Sequence, residues 1–243
     1  MRWGVVTFPG SLDDRDTTYA IEKALGDPVV PLWHKDRGFD GVDCVVLPGG
    51  FSYGDYLRPG AIARFAPIMD TVARFAGAGG LVMGICNGFQ TLCEAGLLPG
   101  ALVRNNSLAF VCDTVNVRVE ETETPFTCAC ARGDRLALPI KHGAGCFVAD
   151  AKTLQRIEAE RQVVLRYVDT AGRVTDEANP NGSLNNIAGI VNSGRNVFGL
   201  MPHPEHACER LLGSEDGVRL FRSIKATVGV GAMPHQPSVP PGM

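Results

Sequence analysis

Cys86 is the side chain in this sequence best suited to covalent chemistry, because it lies between two glycines in the run G-I-C-N-G. An apolar run with β-branched residues at 81–85 precedes it and indicates a buried strand, and a helical pattern begins directly after it. This order is typical of a nucleophile elbow with cysteine in place of serine, and Gly84 and Gly88 permit the tight turn. Because a helix N-terminus favours thiolate over thiol, the pattern predicts an enzyme with a thioester intermediate.

The run M-P-H-P-E-H at 201–206 offers the base that a cysteine nucleophile needs. The flanking prolines restrict the backbone that carries His203 and Glu205. We expect His203 to take the proton of Cys86, and Glu205 to accept a hydrogen bond from the other ring nitrogen. The order Cys, His, Glu along the chain is nucleophile first, as in elbow enzymes. An isolated H-P-E would instead indicate a loop histidine beside a surface carboxylate.

Acyl transfer also requires N–H donors for the oxyanion, and two segments are candidates. Elbow geometry predicts the backbone N–H of Asn87, the residue after the nucleophile, as one donor. The run P-G-G at 48–50 ends the preceding predicted strand, where glycines allow backbone N–H groups to point into a site. The alternative interpretation of P-G-G is a simple glycine turn.

The candidate residues follow different predicted strands, so the fold must bring the ends of those strands together. The first half of the chain alternates strand and helix patterns. Strands are predicted at 3–8, 29–33, 44–47 and 81–85, and helices at 13–25, 61–78 and 87–94. Further strands are predicted at 111–120, 126–131, 136–140, 163–169, 187–192 and 196–201, and a last helix at 213–228. The pattern predicts an α/β fold: an open, mostly parallel sheet flanked by helices, with an added antiparallel region.

Composition narrows the class of protein further. The 243 residues carry a net charge of −3 and no basic stripe, which argues against nucleic acid as a partner. Neither a membrane span of roughly 18–20 apolar residues nor a signal peptide is recognisable. We expect a cytoplasmic protein with eight reduced cysteines, a single domain over 1–228 and a Gly- and Pro-rich, disordered tail over 229–243.

One group of side chains in the second half of the chain has the residue types that bind zinc. The group consists of Cys128, Cys130, His142 and Cys146. Its spacing is C-x-C rather than C-x₂-C, and no second paired unit exists. We therefore predict no metal.

Three runs carry a resemblance to a known family: P-G-G-F-S-Y-G-D-Y-L-R at 48–58, G-I-C-N-G-F-Q at 84–90 and G-L-M-P-H-P-E at 199–205. The sequence resembles the class I, or triad, glutamine amidotransferases. Within that class it is similar to the family of glutaminase subunits of phosphoribosylformylglycinamidine synthase. The resemblance covers about residues 2–225 and implies a flavodoxin-like fold and a Cys86, His203, Glu205 triad.

The resemblance implies that glutamine is hydrolysed to glutamate and ammonia at Cys86. The ammonia would pass to a large, separate synthetase subunit, which uses ATP and magnesium to convert formylglycinamide ribonucleotide to formylglycinamidine ribonucleotide in purine biosynthesis. A small third subunit would complete the assembly, and this subunit itself would need no cofactor. The aromatic run 51–56 is a candidate contact surface, with packing on its own domain as the alternative.

The resemblance also suggests roles for individual residues. Gly50 and Asn87 would form the oxyanion hole, and Gln90 with the His142-Gly143 turn would bind glutamine. Arg104, Asn105 and Ser107 match a subfamily motif, which would serve either the site or the synthetase contact. The alternative for Arg104 is a solvated surface charge.

The chain departs from the family pattern at three places. G-S-N-C-D is replaced here by G-S-L-D-D at 10–14, H-G-E-G by H-G-A-G at 142–145, and P-E-R by P-E-H at 204–206. None of these removes a triad member, but they leave open how the substrate is oriented or the partner docks. The alternatives are a glutaminase of another pathway, such as GMP or CTP synthesis, a DJ-1/PfpI-like elbow-cysteine protein, and a non-catalytic scaffold.

Overall fold

A computed structural model describes residues 1–230 of the chain. The strands are β1 (Trp3–Thr7), β2 (Val29–Trp33), β3 (Cys44–Leu47), β4 (Leu81–Ile85), β5 (Ala101–Val103), β6 (Val111–Val119), β7 (Arg135–His142), β8 (Cys146–Val148), β9 (Val163–Val168), β10 (Ile187–Val191) and β11 (Val197–Leu200). The α-helices are α1 (Asp14–Leu25), α2 (Pro67–Gly77), α3 (Asn87–Glu94), α4 (Ala151–Ala159) and α5 (Val218–Val230).

One mixed sheet organises these elements, in the order β2-β1-β3-β4-β11-β10-β9-β6-β7. The first five strands of that order run parallel, and each remaining strand is antiparallel to its neighbour. Strands β5 and β8 form a separate antiparallel pair. The predicted fold class, a mostly parallel sheet with an added antiparallel region, is confirmed.

The centre of the parallel half is apolar because helices cover it. Every residue of β3 is buried, and in β4 only Leu81 is partly exposed. Strands buried on both faces read as continuous apolar runs, which is why these two were predicted with their observed bounds. Helix α1 also ends where expected, since Gly26 takes φ 66° and its N–H donates to the carbonyl of Glu22.

Some predicted elements were wrong. Residues 126–131 form turns rather than a strand. The apolar residue Phe126 in this segment is completely buried in the core. The helix predicted at 61–78 is divided: a 3₁₀ turn at Ala63–Phe65 precedes α2, which begins at Pro67 because proline fits only the first turn of a helix.

Three short elements were not predicted at all. Strands β5 and β8 have three residues each, too few to display a period. Helix α4 buries only Ile157, although its start is marked by Asp150, whose side chain accepts a hydrogen bond from the Thr153 N–H. The final helix begins later than predicted and continues through Val230, and the rest of the predicted tail lies outside the described residues.

Candidate active site

The carboxyl ends of three parallel neighbours, β3, β4 and β11, bring the predicted site residues together. Strand β4 lies between the other two, and Ile85 pairs with Leu200 in register. The N–H of Cys86 donates to the Leu200 carbonyl at 2.8 Å, so the predicted nucleophile and the segment that carries His203 leave the sheet side by side. The P-G-G segment leaves on the other side of β4. Ligand sites of open α/β sheets form at this edge.

Cys86 occupies a strained backbone conformation at the elbow, with φ 51° and ψ −103°. Such positive φ values in non-glycine residues cost on the order of 1–3 kcal/mol and persist where the surroundings impose them. The surroundings here are tight: a Cβ on Gly88 would collide with the Leu47 carbonyl, and one on Gly84 would lie 2.5 Å from Leu92 Cδ1. Glycine on both sides of the nucleophile is therefore required by packing.

His203 and Glu205 form a buried pair beside the nucleophile, with 2.6 Å between His203 Nδ1 and Glu205 Oε1. Neither residue is more than 2% exposed. Burial lowers the pKa of His203, but the negative charges of Glu205 and Cys86 outweigh it and raise the pKa to about 10. Because Glu205 engages Nδ1, Nε2 is the ring nitrogen left for Cys86, an arrangement that suits an imidazolium facing a thiolate.

Of the two predicted oxyanion donors, one lines the cavity at Cys86 and the other follows Cys86 in the chain. Gly50 lines the same cavity as Cys86 and adopts φ 136°, where a Cβ would lie 2.6 Å from the Leu12 nitrogen. Asn87 is the first residue of α3, so its backbone N–H is one of the four that a helix leaves free. Its side-chain oxygen accepts from the Ser52 N–H at 3.0 Å and thereby ties the P-G-G loop to the helix.

A cavity of about 480 Å³ opens at Cys86. Charged side chains of both signs line it: the acidic one is Asp55, and the basic ones are Arg58, Arg104 and Lys141. Burial raises the pKa of Asp55 to about 6, although a hydrogen bond from Asn87 opposes the shift. Charges of both signs suit a small zwitterion.

Gln90 and Gly143, two of the predicted substrate contacts, also line this cavity. Gln90 is buried, and both ends of its amide are engaged by the protein: Nε2 donates to the Ala144 carbonyl at 2.6 Å, and Oε1 accepts from Asn87 Nδ2 at 2.8 Å. The side chain is thus held in one orientation at the cavity wall. Ala144, the position at which the family pattern has an acid, contributes a backbone carbonyl instead.

The segment 104–107 separates into three environments. Arg104 lines the cavity, Asn105 is completely buried, and the exposed Ser107 lies at a different cavity. Asn105 organises the turn after β7: its Oδ1 accepts from the Gly145 N–H at 2.9 Å, and its Nδ2 donates to the His142 carbonyl at 2.9 Å. The role of Asn105 is therefore to shape the turn that forms one wall.

His142 lies in that wall with its Nδ1 3.2 Å from Asn105 Oδ1. Burial, and secondarily the charge on His203, lower the pKa of His142 to about 4, so its ring is neutral at neutral pH. Its Nε2 is buried and has no hydrogen-bond partner among residues 1–230. The ring is thus neutral and buried, with one nitrogen facing Asn105 and the other without a partner among the described residues.

Sequence reasoning did not assign roles to Asp13, Asp55, Lys141 or His206, which the structure brings to the site. Asp13 and His206 had been noted only as departures from the family pattern, and they contact each other, with 3.2 Å between His206 Nε2 and Asp13 Oδ1. The sequence did offer one indication of a role for Asp13 and His206. Both residues are polar, and both lie close to segments that were predicted to form the site.

Asp13, His203, Glu205 and His206 offer ligand atoms within 4.8 Å of one another, a spacing that a metal ion could bridge. The ammonium of Lys141 forms an ion pair with Asp13 at the edge of this group, and Glu205 is engaged by His203. A fixed positive charge at one carboxylate opposes a second cation there. The group is better described as a hydrogen-bonded charge network around His203.

The zinc set considered from the sequence is not assembled. Cys128 Sγ contacts the Ser223 carbonyl at 3.2 Å, and Cys146 Sγ lies 3.9 Å from Asn106 Oδ1. All eight cysteines are unpaired. Among residues 1–230, no helix combines the length and apolar character that a bilayer crossing demands.

Comparisons with known proteins show which family the chain belongs to. Residues 1–220 match the family model of the CobB/CobQ-like glutamine amidotransferase domain. Phosphoribosylformylglycinamidine synthase subunit PurQ of Rubrobacter xylanophilus is 57% identical over 93% of this chain and 98% of its own length. The chain belongs to this PurQ family of glutamine amidotransferases. The corresponding PurQ subunit of Salinibacter ruber is 55% identical over 95% of this chain and 98% of its own.

A solved PurQ-like chain agrees with this assignment. It comes from a structure described as PurLQS from Thermotoga maritima, with a TM-score of 0.83 and 45% identity over 93% of this chain and 98% of that chain. The recognition made from the three motifs is confirmed, and so is the function class, a glutamine amidotransferase subunit of phosphoribosylformylglycinamidine synthase. The alternatives of another amidotransferase pathway and of a DJ-1/PfpI-like protein are disfavoured by identities above 50% along nearly the whole chain.

Proposed function

We propose that this chain hydrolyses the side-chain amide of glutamine with Cys86 as nucleophile, His203 as proton carrier and Glu205 as the group that orients His203. The observation that carries the proposal is the buried His203–Glu205 pair at the end of β11, directly beside the elbow at the end of β4. The only thiol that combines elbow geometry with a neighbouring base, within residues 1–230, is that of Cys86.

The reaction follows from this arrangement. The Cys86 thiolate attacks the amide carbon, and the carbonyl electron pair moves to oxygen, where the N–H groups of Gly50 and Asn87 stabilise it. The imidazolium of His203 gives its Nε2 proton to the amide nitrogen, the C–N bond breaks, and ammonia leaves a thioester. Water then attacks the thioester and gives a proton to His203, and the C–S bond breaks to release glutamate and restore the ion pair.

Substrate orientation depends on charge. The α-ammonium and α-carboxylate of glutamine need partners of opposite sign, and Asp55 is the one carboxylate among the residues that line the described cavity. We assign the ammonium to Asp55 and the carboxylate to the cationic side, where Arg104 lies. Gln90 and the His142-Gly143 turn would then fix the remaining amino-acid atoms. This assignment supplies an acid in place of the one missing at Ala144.

The ammonia requires a consumer, and we propose that the rim of the cavity docks a larger synthetase subunit. Apolar side chains there are left exposed by the rest of residues 1–230: Tyr56 is 73% exposed, Leu57 88% and Leu108 79%. Aromatic and large apolar residues at the mouth of an active site suit a protein interface. The structure of a PurQ-like chain described within PurLQS supports such an assembly.

We also propose what each subunit of the assembly contributes. The large subunit would bind ATP and magnesium and use the ammonia to convert formylglycinamide ribonucleotide to formylglycinamidine ribonucleotide. A small third subunit would complete the complex, and this chain would need no cofactor of its own. Eight unpaired cysteines and a role in purine biosynthesis favour the cytoplasm.

The test combines labelling with turnover. Diazo-oxonorleucine, a glutamine-like electrophile, should alkylate Cys86 alone: its diazo carbon takes a proton, the thiolate sulfur bonds to that carbon, and N₂ leaves. The adduct is read by mass spectrometry of the digested full chain. Cys128→Ala is the matched control, because Cys128 is an exposed thiol that contacts the Ser223 carbonyl and does not line the cavity, so its loss should leave labelling intact. Labelling that persists in Cys86→Ala would contradict the assignment. Glutamate release from glutamine, with the synthetase subunit present, should disappear in the same variant.

A further inference from the structure

A second carboxylate, besides Glu205, faces the ring of His203. Oδ2 of Asp13 lies 3.6 Å from His203 Nδ1, the same nitrogen that Glu205 Oε1 approaches at 2.6 Å. Asp13 is 1% exposed, and its Oδ2 has no hydrogen-bond partner among the described residues. A buried carboxylate oxygen without a donor is costly, so its position beside an ionisable ring requires an explanation.

The other oxygen of Asp13 is firmly held. Oδ1 accepts from Lys141 Nζ and from His206 Nε2, the latter at 3.2 Å. Burial alone would raise the pKa of Asp13, but the hydrogen bond from His206, the charge on His203 and the ion pair with Lys141 together hold that pKa well below its usual range. The carboxylate is therefore ionised at neutral pH and presents a fixed negative charge to His203.

Asp13 also contacts the loop that carries a predicted oxyanion donor. Its backbone N–H and that of Leu12 both approach the carbonyl of Gly49, at 3.3 and 3.2 Å. A Cβ on Gly49 would collide with Asp13 Oδ2 and lie 2.7 Å from His203 Cε1. One residue at the start of α1 thus packs against both the base and the P-G-G loop.

We propose that Asp13 is a positioning residue for the reaction, and that its carboxylate acts with Glu205 to orient His203 and to stabilise the imidazolium that pairs with the Cys86 thiolate. The proposal rests on the function proposed above. It assigns to the base two carboxylates, one at hydrogen-bond distance and one acting through charge. Asp13 itself does not line the cavity and would not touch glutamine.

Other charges near the ring do not duplicate this effect. The titratable groups that surround His203 are Asp13, Cys86, Lys141, His142, Glu205 and His206. Of these, only Asp13 and Glu205 are carboxylates, and only their negative charges can favour a protonated ring without being consumed in the reaction. His142 opposes protonation only when it is itself charged, and its lowered pKa keeps it neutral.

The test is a titration of His203 in the full chain carrying Cys86→Ser, which removes the thiolate charge. The imidazole is followed by NMR with Asp13 intact and with Asp13→Asn. We expect Asp13→Asn to lower the pKa of His203 by about one unit or more, as opposite charges within about 4–6 Å usually do. Asp14→Asn is the matched control, because Asp14 accepts from the Thr7 hydroxyl and does not contact His203. An unchanged His203 pKa in Asp13→Asn would overturn the proposal.

Kinetics separate positioning from a merely structural role. With Cys86 restored, Asp13→Asn should lower kcat for glutamine about tenfold, the rate equivalent of one pKa unit, and leave KM nearly unchanged. The contrary outcome is that Asp13→Asn loses activity only in proportion to its loss of folded protein, with the pKa of His203 unchanged. That outcome would mean that Asp13 contributes to folding alone.

A second variant covers the case in which Asp13→Asn does not fold. In the Cys86→Ser chain carrying Glu205→Gln, Asp13 is the remaining carboxylate at His203, and we expect the His203 pKa to stay above its ordinary value. If Asp13 did not act on the ring, burial would lower the pKa of His203 below its ordinary value. That result would overturn the proposal. Because neither titration requires turnover, failure of Asp13 to act on His203 is distinguishable from failure of Cys86 to be acylated.

Discussion

The two sides of the active-site cavity are built differently. On one side, Cys86, His203 and Glu205 are each 5% exposed or less and leave adjacent strands of the sheet. On the other side, the loop at 51–58 and the segment at 104–110 expose large apolar side chains and contain several non-glycine residues with positive φ: Tyr53, Asp55, Leu57 and Leu108.

We infer from this difference that the buried side carries out the reaction and that the exposed rim responds to a partner. Side chains held by strand ends and burial need no partner to adopt their geometry, since packing already restricts them. An exposed, strained loop has alternatives of similar free energy, so docking can select among them. We therefore expect substitutions on the buried side to change the chemical step, and substitutions on the rim to change binding and activation.

The largest effect is expected on the buried side. His203→Ala should lower glutaminase kcat by about 10²–10⁴-fold or more, because proton transfer in both half-reactions is lost. Glu205→Gln should retain more activity, since the amide can still accept a hydrogen bond from the ring and only the charge is removed. Steady-state glutamate release compares the two variants, and equal inactivity would contradict the hierarchy.

The next effect concerns partner activation at the rim. Small shifts of the loop at Gly49 and Gly50 would aim or misaim an oxyanion donor, and a displacement of about 1 Å can cost roughly 10²-fold in rate. We expect low glutaminase activity in the isolated chain and higher activity with the synthetase subunit. Equal rates with and without that subunit would rule out activation by docking.

The aromatic residues of the rim offer a matched pair for this comparison. Tyr56 is exposed, whereas the hydroxyl of Tyr53 lies 2.6 Å from His34 Nδ1, which ties it to its own domain. Tyr56→Ala should weaken binding of the synthetase subunit, measured by calorimetry, more than Tyr53→Phe does. Unchanged binding in Tyr56→Ala would move the interface elsewhere.

A smaller effect is expected for substrate orientation. Asp55→Asn should raise KM for glutamine about tenfold, because one charge-assisted hydrogen bond is lost, with little change in kcat. Asp55 has a raised pKa of about 6 and binds the ammonium only when ionised, so wild-type KM should rise as the pH falls through 6. That pH dependence should vanish in Asp55→Asn and persist in Asp70→Asn, an exposed acid on α2.

The last comparison concerns stability and lies in the segment behind the rim. Asn105→Ala should lower the free energy of unfolding by about 1–3 kcal/mol, since it leaves the Gly145 N–H and the His142 carbonyl without their partner. The exposed Ser107→Ala is its matched control and should change stability by less than about 0.5 kcal/mol. Urea unfolding measures both. Equal stabilities would contradict the structural role of Asn105.

Residues near one another in sequence were the ones that could be interpreted in advance. The elbow at Cys86 was predictable because a buried strand, a nucleophile flanked by glycines and a helix follow one another within a few residues. The His203–Glu205 pair was predictable because a single residue, Pro204, separates its members. The short elements β5, β8 and α4 were not, since each has too few apolar residues to define a period.

By itself, the sequence predicted the parallel core, the elbow, the candidate nucleophile and its expected base, and it determined the family to which the chain belongs. Only the tertiary structure brought Asp13 to His203 and Lys141 to Asp13, across separations of 190 and 128 residues. Local patterns report propensity and periodicity, whereas the charge at a buried ring depends on every element packed around it. The electrostatics of the base were therefore decided by packing and not by any single motif.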